Sequence, residues 1–282
     1  MKYLVTGRNG QLAAAFLRRF ESRSLDFTAP DESLLDITDA LQTDACVASA
    51  RPDVILNCAA YNFVDKAEQE PDRAFTVNEA GPRNLAAAAH KHHAMLVHYS
   101  SDYVFDGRKE TGLYDEGDAP HPLNQYGRSK LAGETAVRQV LDRSLILRLS
   151  WVFGTGTQNF IHKFLERARN SAPLQATCDE FSVPTYTETV VDVTLKALEQ
   201  GATGLYHLTN SGFCSRYEWA KAILREMGMR AFIRPVSMSS FNLPAQRPGF
   251  SAMSNRSIAE RMGMDIPSWE EAVALFLRKE VI

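Results

Sequence analysis

The sequence predicts an α/β protein: a doubly wound parallel sheet with a smaller C-terminal α/β lobe. Three observations carry this. Apolar runs alternate with helical stretches through the first 150 residues. A glycine turn follows the first of these runs. A tyrosine and a lysine, Tyr126 and Lys130, sit four residues apart in a later helical stretch. Strands that alternate with helices build βαβ units, whose right-handed crossovers put helices on both faces of the sheet.

Lys2 to Thr6 reads as a short buried strand, and Gly7 to Gly10 as a turn into a helix over Gln11 to Phe20. Ser24 to Thr28 reads as a second strand. Ala40 to Ala50 reads as a helix, and the apolar run Val54-Ile55-Leu56 as a third strand. One long helix is expected from Asp72 to His93. It is followed by a strand over Met95 to Tyr99, a helix over Asn124 to Leu141 and a strand over Leu145 to Leu149. Beyond Trp151 the pattern loosens. Helices are expected at Asn159–Arg169, Glu188–Gln200, Arg216–Met227 and Ser268–Arg278, and strands at Leu205–Leu208 and Ala231–Pro235. Ser237 to Gly249 is expected to be loop. Residues 1–150 are therefore assigned to dinucleotide binding. Residues 151–282 are assigned mainly to a substrate lobe, with some segments returning to the central core. A ligand belongs in the cleft outside the carboxyl ends of the strands.

Gly7-Arg8-Asn9-Gly10-Gln11-Leu12-Ala13 has the pattern G-x-x-G-x-x-A between a strand and a helix. Glycines allow the tight turn and let the backbone approach a pyrophosphate, while the helix N-terminus offers free N–H groups and a positive dipole end. This is the Rossmann-type context, and Gly7, Asn9, Gly10, Gln11 and Leu12 are the candidate cofactor contacts. A carboxylate at the end of the second strand would bind an NAD ribose; that strand ends near Thr28-Ala29-Pro30, with Asp31 just beyond. Arg8 could instead meet a 2′-phosphate, which favours NADP(H) and leaves NAD(H) as the alternative. Asp36-Ile37 either flanks the adenine or caps the following helix.

Asn57-Cys58-Ala59-Ala60 ends the third strand, where small residues let a dinucleotide lie against the backbone; Tyr61 follows. Asn78 is open between a structural role and the cofactor cleft. On a helix, residues i and i+4 share a face, so Lys130 can approach the Tyr126 phenol. A free tyrosine has a pKa of about 10, and a nearby cation lowers it toward the working range. Ser101, at the carboxyl end of the fourth strand, is placed to hydrogen-bond a substrate carbonyl that Tyr126 protonates.

The remaining composition narrows the class. The 282 residues are 45% hydrophobic and 23% charged with a net charge of −3, which gives no bulk attraction to nucleic acid or to an anionic membrane. Cys46, Cys58, Cys178 and Cys214 form no C-x-x-C pattern and read as reduced thiols of a cytoplasmic protein. No apolar run approaches the roughly 20 residues of a membrane span, and a strand-like segment directly after Met1 gives no expectation of a signal peptide. His90-Lys91-His92-His93 looks like a metal cluster, but cations at a helix C-terminus complement the dipole, and no metal is expected.

The glycine turn, Ser101 and Tyr126-x-x-x-Lys130 together resemble the extended short-chain dehydrogenase/reductase superfamily. Longer stretches narrow the match. Asn57 to Glu68, Ser101 to Gly107, Pro122 to Gly127, Arg148 to Gly154, Gly204 to Leu208 and Arg247-Pro248 are similar to the dTDP-4-dehydrorhamnose reductase family, over nearly the whole chain. Nucleotide-sugar dehydratases of the superfamily carry an Asp-Glu pair after the active-site hydroxyl, whereas here Asp102 is followed by Tyr103. The family more often has threonine where Ser101 stands.

The resemblance implies an enzyme that uses NAD(P)H to reduce the C4 ketone of a dTDP-linked 4-keto-6-deoxyhexose, for cell-surface polysaccharide synthesis. It implies Tyr126 as proton donor, Ser101 as its partner on the C4 oxygen, and Lys130 on the nicotinamide ribose and the tyrosine. It places Val64, Asp102, Tyr103 and Trp151 around the sugar and Arg247 on the diphosphate, and it allows a homodimer. The alternatives are a related nucleotide-sugar ketoreductase or epimerase, or a non-catalytic subunit like the beta subunit of methionine adenosyltransferase.

Overall fold

Strands that are apolar on both faces need a layer on each side, and the chain supplies both. The computed structural model describes residues 1–170 and 173–280. Its strands are β1 (Lys2–Thr6), β2 (Asp26–Thr28), β3 (Val54–Asn57), β4 (Met95–Ser101), β5 (Ser144–Leu149), β6 (Val152–Phe153), β7 (Leu174–Thr177), β8 (Phe181–Ser182), β9 (Thr185–Tyr186), β10 (Gly204–His207), β11 (Cys214–Ser215) and β12 (Ile233–Val236). Its α-helices are α1 (Gln11–Ser22), α2 (Ala40–Ala50), α3 (Val64–Ala67), α4 (Pro71–Phe75), α5 (Gly81–Lys91), α6 (Gln125–Val140), α7 (Phe160–Arg169), α8 (Thr187–Glu199), α9 (Arg216–Glu226), α10 (Arg256–Met262) and α11 (Trp269–Glu280).

Six strands form one parallel sheet in the order β10-β5-β4-β3-β1-β2. Side chains alternate across it, as the period of two requires. Leu4, Ile55, Leu96 and Ile146 pack with Val47, Leu85 and Val137 on the side of α2, α5 and α6. Tyr3, Val5, Leu56, Val97 and Leu147 pack with Phe16, Phe20, Val190 and Ile258 on the side of α1, α8 and α10. The strand order reverses between β1 and β3, and the crevice at such a switch point is where ligands bind. The expected doubly wound fold is thus present.

Beyond β5, three two-stranded pairs (β7 with β12, β8 with β11, β6 with β9) gather α7, α9 and α11 around Trp219, Phe153, Ile223 and Phe276. β10 leaves this group and adds to β5 at the edge of the main sheet.

The expected helix from Asp72 to His93 is broken into α4, a π-helical turn over Thr76–Ala80, and α5. Pro82 has no N–H to donate to the carbonyl four residues back, which is that of Asn78, and the ladder widens there. α6 then packs close: a Cβ on Gly133 would stand 2.1 Å from the Asn78 oxygen. The short helices α3 and α10 were not expected, and Met238–Phe241, within the expected loop, forms a 3-10 turn.

Candidate active site

β1 delivers the chain into the glycine turn. Gly7 has φ +65°, and a Cβ there would lie 2.7 Å from the Ala59 backbone, so only glycine lets the turn rest on the end of β3. The Gly10 N–H donates to the Gly7 carbonyl at 2.8 Å, and Gly10 N-caps α1 without a capping side chain. The first-turn N–H groups of α1 are therefore left for a ligand or solvent. Leu12 is buried, Asn9 and Arg8 are exposed, and Gly10 is half-buried. Gln11 donates through Nε2 to the Val152 carbonyl at 3.1 Å, and its buried Oε1 has no hydrogen-bond partner among the described residues. An unfilled acceptor beside a cradle that a Cβ would obstruct fits a dinucleotide.

Asp36 and Ile37, expected beside the nucleotide, also make contacts within the protein. The Asp36 carboxylate accepts from the N–H and hydroxyl of Thr38 at 2.9 and 2.8 Å, while Asp39 caps α2. Ile37 is buried against Gly81. Asp36 ties its own loop, and Ile37 packs that loop against α5. Asn78, left open by sequence, is 1% exposed and fully engaged. It accepts from the Tyr61 N–H at 2.9 Å and donates to the Tyr61 carbonyl at 3.0 Å and to Ser129 Oγ at 2.9 Å. It pins the loop after β3 to α6. Ala59 donates its N–H to Thr6 Oγ1 at 3.3 Å, and Thr6 donates to Asn57 at 2.8 Å. Ala59 and Ala60 thus form a fixed wall beside the turn.

β4 and α6 bring the three candidate catalytic residues together. Asn124 caps α6 by accepting from the Gly127 N–H at 2.8 Å, which sets Tyr126 in the first turn and Lys130 one turn on. Tyr126 is half-buried, its ring edge-on to Tyr103 with centroids 5.8 Å apart. Burial pushes its phenol up to about 12; the Ser101 hydroxyl works against the rise and the charge of Asp102 adds to it. Lys130 is 2% exposed and donates to the Tyr99 carbonyl at 2.7 Å. Burial brings its ammonium down to about 8, with Glu134 pulling the other way. The expected lowering of the tyrosine by Lys130 is not what the structure has: burial raises the phenol, and Lys130 is not among the groups that shift it. A phenol that stays protonated suits a proton donor.

On the substrate side, Asp102 is 2% exposed and accepts from Ser101 at 3.1 Å, Ser182 at 2.9 Å and Ser251 at 2.6 Å. Burial raises its carboxyl, and these serines oppose the rise. Oδ2 takes both Ser182 and Ser251, tying the end of β4 to β8 and to the segment after the 237–249 loop, while Oδ1 takes Ser101. Trp151, expected to offer a flat face, has φ +38° and is 9% exposed. The Arg216 guanidinium covers its ring at 3.6 Å from the centroid, and Trp219 stacks on it at 5.7 Å. Val64 is half-buried at the start of α3. Arg247, expected on a diphosphate, pairs with Asp65.

Arg216 and the serines around Asp102 were missed by sequence reasoning. An arginine at the start of a helix reads as solvated, and Ser182 and Ser251 lie 80 and 149 residues from Asp102. Cys58 offers no nucleophile, since burial raises its thiol.

A model of the family described as "RmlD substrate binding domain" matches residues 1–282. The chain is 37% identical to dTDP-4-dehydrorhamnose reductase of Burkholderia thailandensis, over 99% of this chain and 98% of that one. It is 34% identical to the spore coat polysaccharide biosynthesis protein SpsK of Bacillus subtilis, over 99% and 97%. Among solved structures, dTDP-4-dehydrorhamnose reductase from Bacillus anthracis in complex with NADP superposes with a TM-score of 0.95, at 35% identity over 99% of each chain. With its glycine turn, its Ser101–Tyr126–Lys130 cleft and a family match from end to end, the chain belongs to the RmlD substrate binding domain family.

Proposed function

We propose that the protein reduces the C4 ketone of dTDP-4-dehydrorhamnose to give dTDP-L-rhamnose, using NADPH, with NADH as the alternative. The observation that carries this is the convergence of Ser101, Tyr126 and Lys130 at the carboxyl end of β4, between the Gly7 turn and the C-terminal lobe. Relatives matched over nearly the full length bear the name of that reductase, and one of that name was solved with NADP.

The geometry supports a role for each residue. When bound, the nicotinamide supplies a hydride to the carbonyl carbon. Tyr126, protonated across the neutral range, donates a proton to the oxygen where charge develops. Ser101 acts on the Tyr126 phenol and donates to Asp102, which orients it. Lys130 presents an ammonium for the ribose hydroxyls. Gly7, Asn9, Gly10, Gln11 and Leu12 form the pyrophosphate turn, with Ala59, Ala60 and Tyr61 as the opposite wall. Tyr103, Val64 and Trp151 with its Arg216 cover form the sugar side, and Arg247 is the candidate for the diphosphate. Residues 151–282 are read mainly as the substrate lobe. No described helix is long and apolar enough to cross a membrane, and we place the enzyme in the cytoplasm, supplying polysaccharide synthesis.

The test is to mix purified protein, dTDP-4-dehydrorhamnose and NADPH or NADH, and to follow 340 nm absorbance and the product. Loss of absorbance with dTDP-L-rhamnose formed is the expected result. No oxidation of either cofactor by folded protein would overturn the assignment.

A further inference from the structure

Three successive residues of β4 meet three residues spaced four apart on α6. The Ser101 hydroxyl acts on the Tyr126 phenol, the Tyr99 carbonyl accepts from Lys130 at 2.7 Å, and Ser100 Oγ donates to Glu134 Oε1 at 2.6 Å. The first two partners on α6 belong to the proposed chemistry, but Glu134 has no part in it yet. Its side chain is 0% exposed. Arg148 of β5 grips it at two points, Nε to Oε1 and Nη2 to Oε2, each 2.8 Å. Arg148 is itself 2% exposed. Its Nη1 lies 3.4 Å from His207 Nε2, and its guanidinium lies over the Phe105 ring at 5.1 Å. A buried ion pair is no better for stability than well-packed apolar residues of similar volume, so the fold alone does not explain it. One turn beyond Lys130, Glu134 shares the face of α6 that carries Lys130 and Tyr126.

We propose that Glu134, clamped by Arg148 and Ser100, is a positioning residue that keeps the Lys130 ammonium charged and in place beside Tyr126. This rests on the reductase reading of the cleft. Burial works against the charge on Lys130, and Glu134 offsets part of that loss. The groups facing Lys130 are few. From β4 come the Tyr99 carbonyl and His98, and burial together with the Lys130 charge holds the His98 imidazole well below its usual range, so it stays neutral. From α6 come Tyr126, also neutral, and Glu134. From β5, Arg148 stands behind Glu134. Among these groups, Glu134 is the carboxylate one helical turn from Lys130 on the same face of α6, and its charge favours the ammonium. Ser100 and Arg148 keep it in a single orientation on the strand beside Tyr99.

The direct readout is the titration of Lys130, followed by NMR in protein labelled with ¹³C-lysine and assigned with Lys130→Arg. In the parent protein its midpoint is expected near 8. Glu134→Gln is expected to lower that midpoint by about one unit or more, and Glu134→Asp, which keeps the charge but draws it back, by less. The pH at which NADPH affinity falls, read from its fluorescence, should move down in step. An unchanged Lys130 midpoint in folded Glu134→Gln would overturn the proposal. Should that variant not fold, Glu134→Asp serves alone, and an unchanged midpoint there has the same force. Neither readout involves the sugar, so a failed reductase assay and a failed positioning role are separate results.

Discussion

Arg247 closes a two-point ion pair on Asp65, Nη1 to Oδ1 at 3.0 Å and Nη2 to Oδ2 at 2.7 Å. The Ala245 N–H adds a third bond to Oδ1 at 3.2 Å. The arginine holds the Asp65 carboxyl below its usual range. The pair therefore fastens the 237–249 loop to α3, and a substrate diphosphate reaching Arg247 must share it with Asp65. A hydrogen bond to a charged group contributes about 1.5–3 kcal/mol, and about 1.4 kcal/mol is tenfold in affinity. Arg247→Ala is expected to raise KM for the nucleotide sugar roughly tenfold or more, with KM for NADPH unchanged. Asp65→Asn should lower the sugar KM by releasing the guanidinium. Steady-state kinetics on both variants checks this, and a raised sugar KM in Asp65→Asn would reduce the pair to a loop fastener.

Tyr126→Phe removes the proton donor and leaves the ring packed edge-on to Tyr103. A fall in kcat of about 10²-fold or more is expected, with NADPH affinity close to that of the parent. Single-turnover rates and cofactor fluorescence separate the two. Full-rate turnover by the phenylalanine variant would remove Tyr126 from the chemistry.

Lys130 sets the alkaline limit. Its ammonium, brought down to about 8 by burial, loses its proton as pH rises through that value, so kcat/KM should decline above about pH 8. Tyr126, pushed up to about 12, stays protonated over the same range and contributes no limb. Stability has the opposite sign. Between about pH 8 and pH 10.4 the unfolded lysine holds a proton that the folded one has released, so this group's contribution to stability increases with pH there. A pH–rate profile set beside denaturant midpoints across pH 7 to 10 would show the divergence.

Gly133→Ala tests the packing of α6 on the π-helical turn. Its Cβ would come within 2.1 Å of the Asn78 oxygen, a backbone atom that cannot swing aside. A loss of about 1–3 kcal/mol is expected, visible as a lower Tm. The Asn78 bonds to Tyr61 would be strained with it, so NADPH affinity should fall as well.

Much of the fold was legible because the parallel strands are unbroken apolar runs with punctuation on both sides, and α2 falls on its expected residues, Ala40–Ala50. α3, at four residues, and α10, at seven, are too short to show a period. The π-helical turn is one extra residue in a ladder, and only Pro82 hinted at it. In the candidate site, Ser101, Tyr126 and Lys130 could be read because strand end and helical spacing are local patterns. The contacts of Asp102, Arg247 and Trp151 could not. Each depends on a residue far along the chain, such as Arg216 above the Trp151 ring, and no spacing rule links them.

The pairing of β10 with β5 has a consequence for anyone wishing to divide this protein. Gly204, Leu205, Tyr206 and His207 lie in register beside Leu145, Ile146, Leu147 and Arg148, although more than fifty residues of a different lobe come between. A fragment ended at residue 150 would keep every helix from α1 to α6 yet expose the N–H and C=O groups along one side of β5, next to an apolar surface. Unprotected strand edges invite other chains to pair with them. Such a truncation should be recovered as an aggregate, while a fragment that retains residues 204–207 in place should remain dispersed.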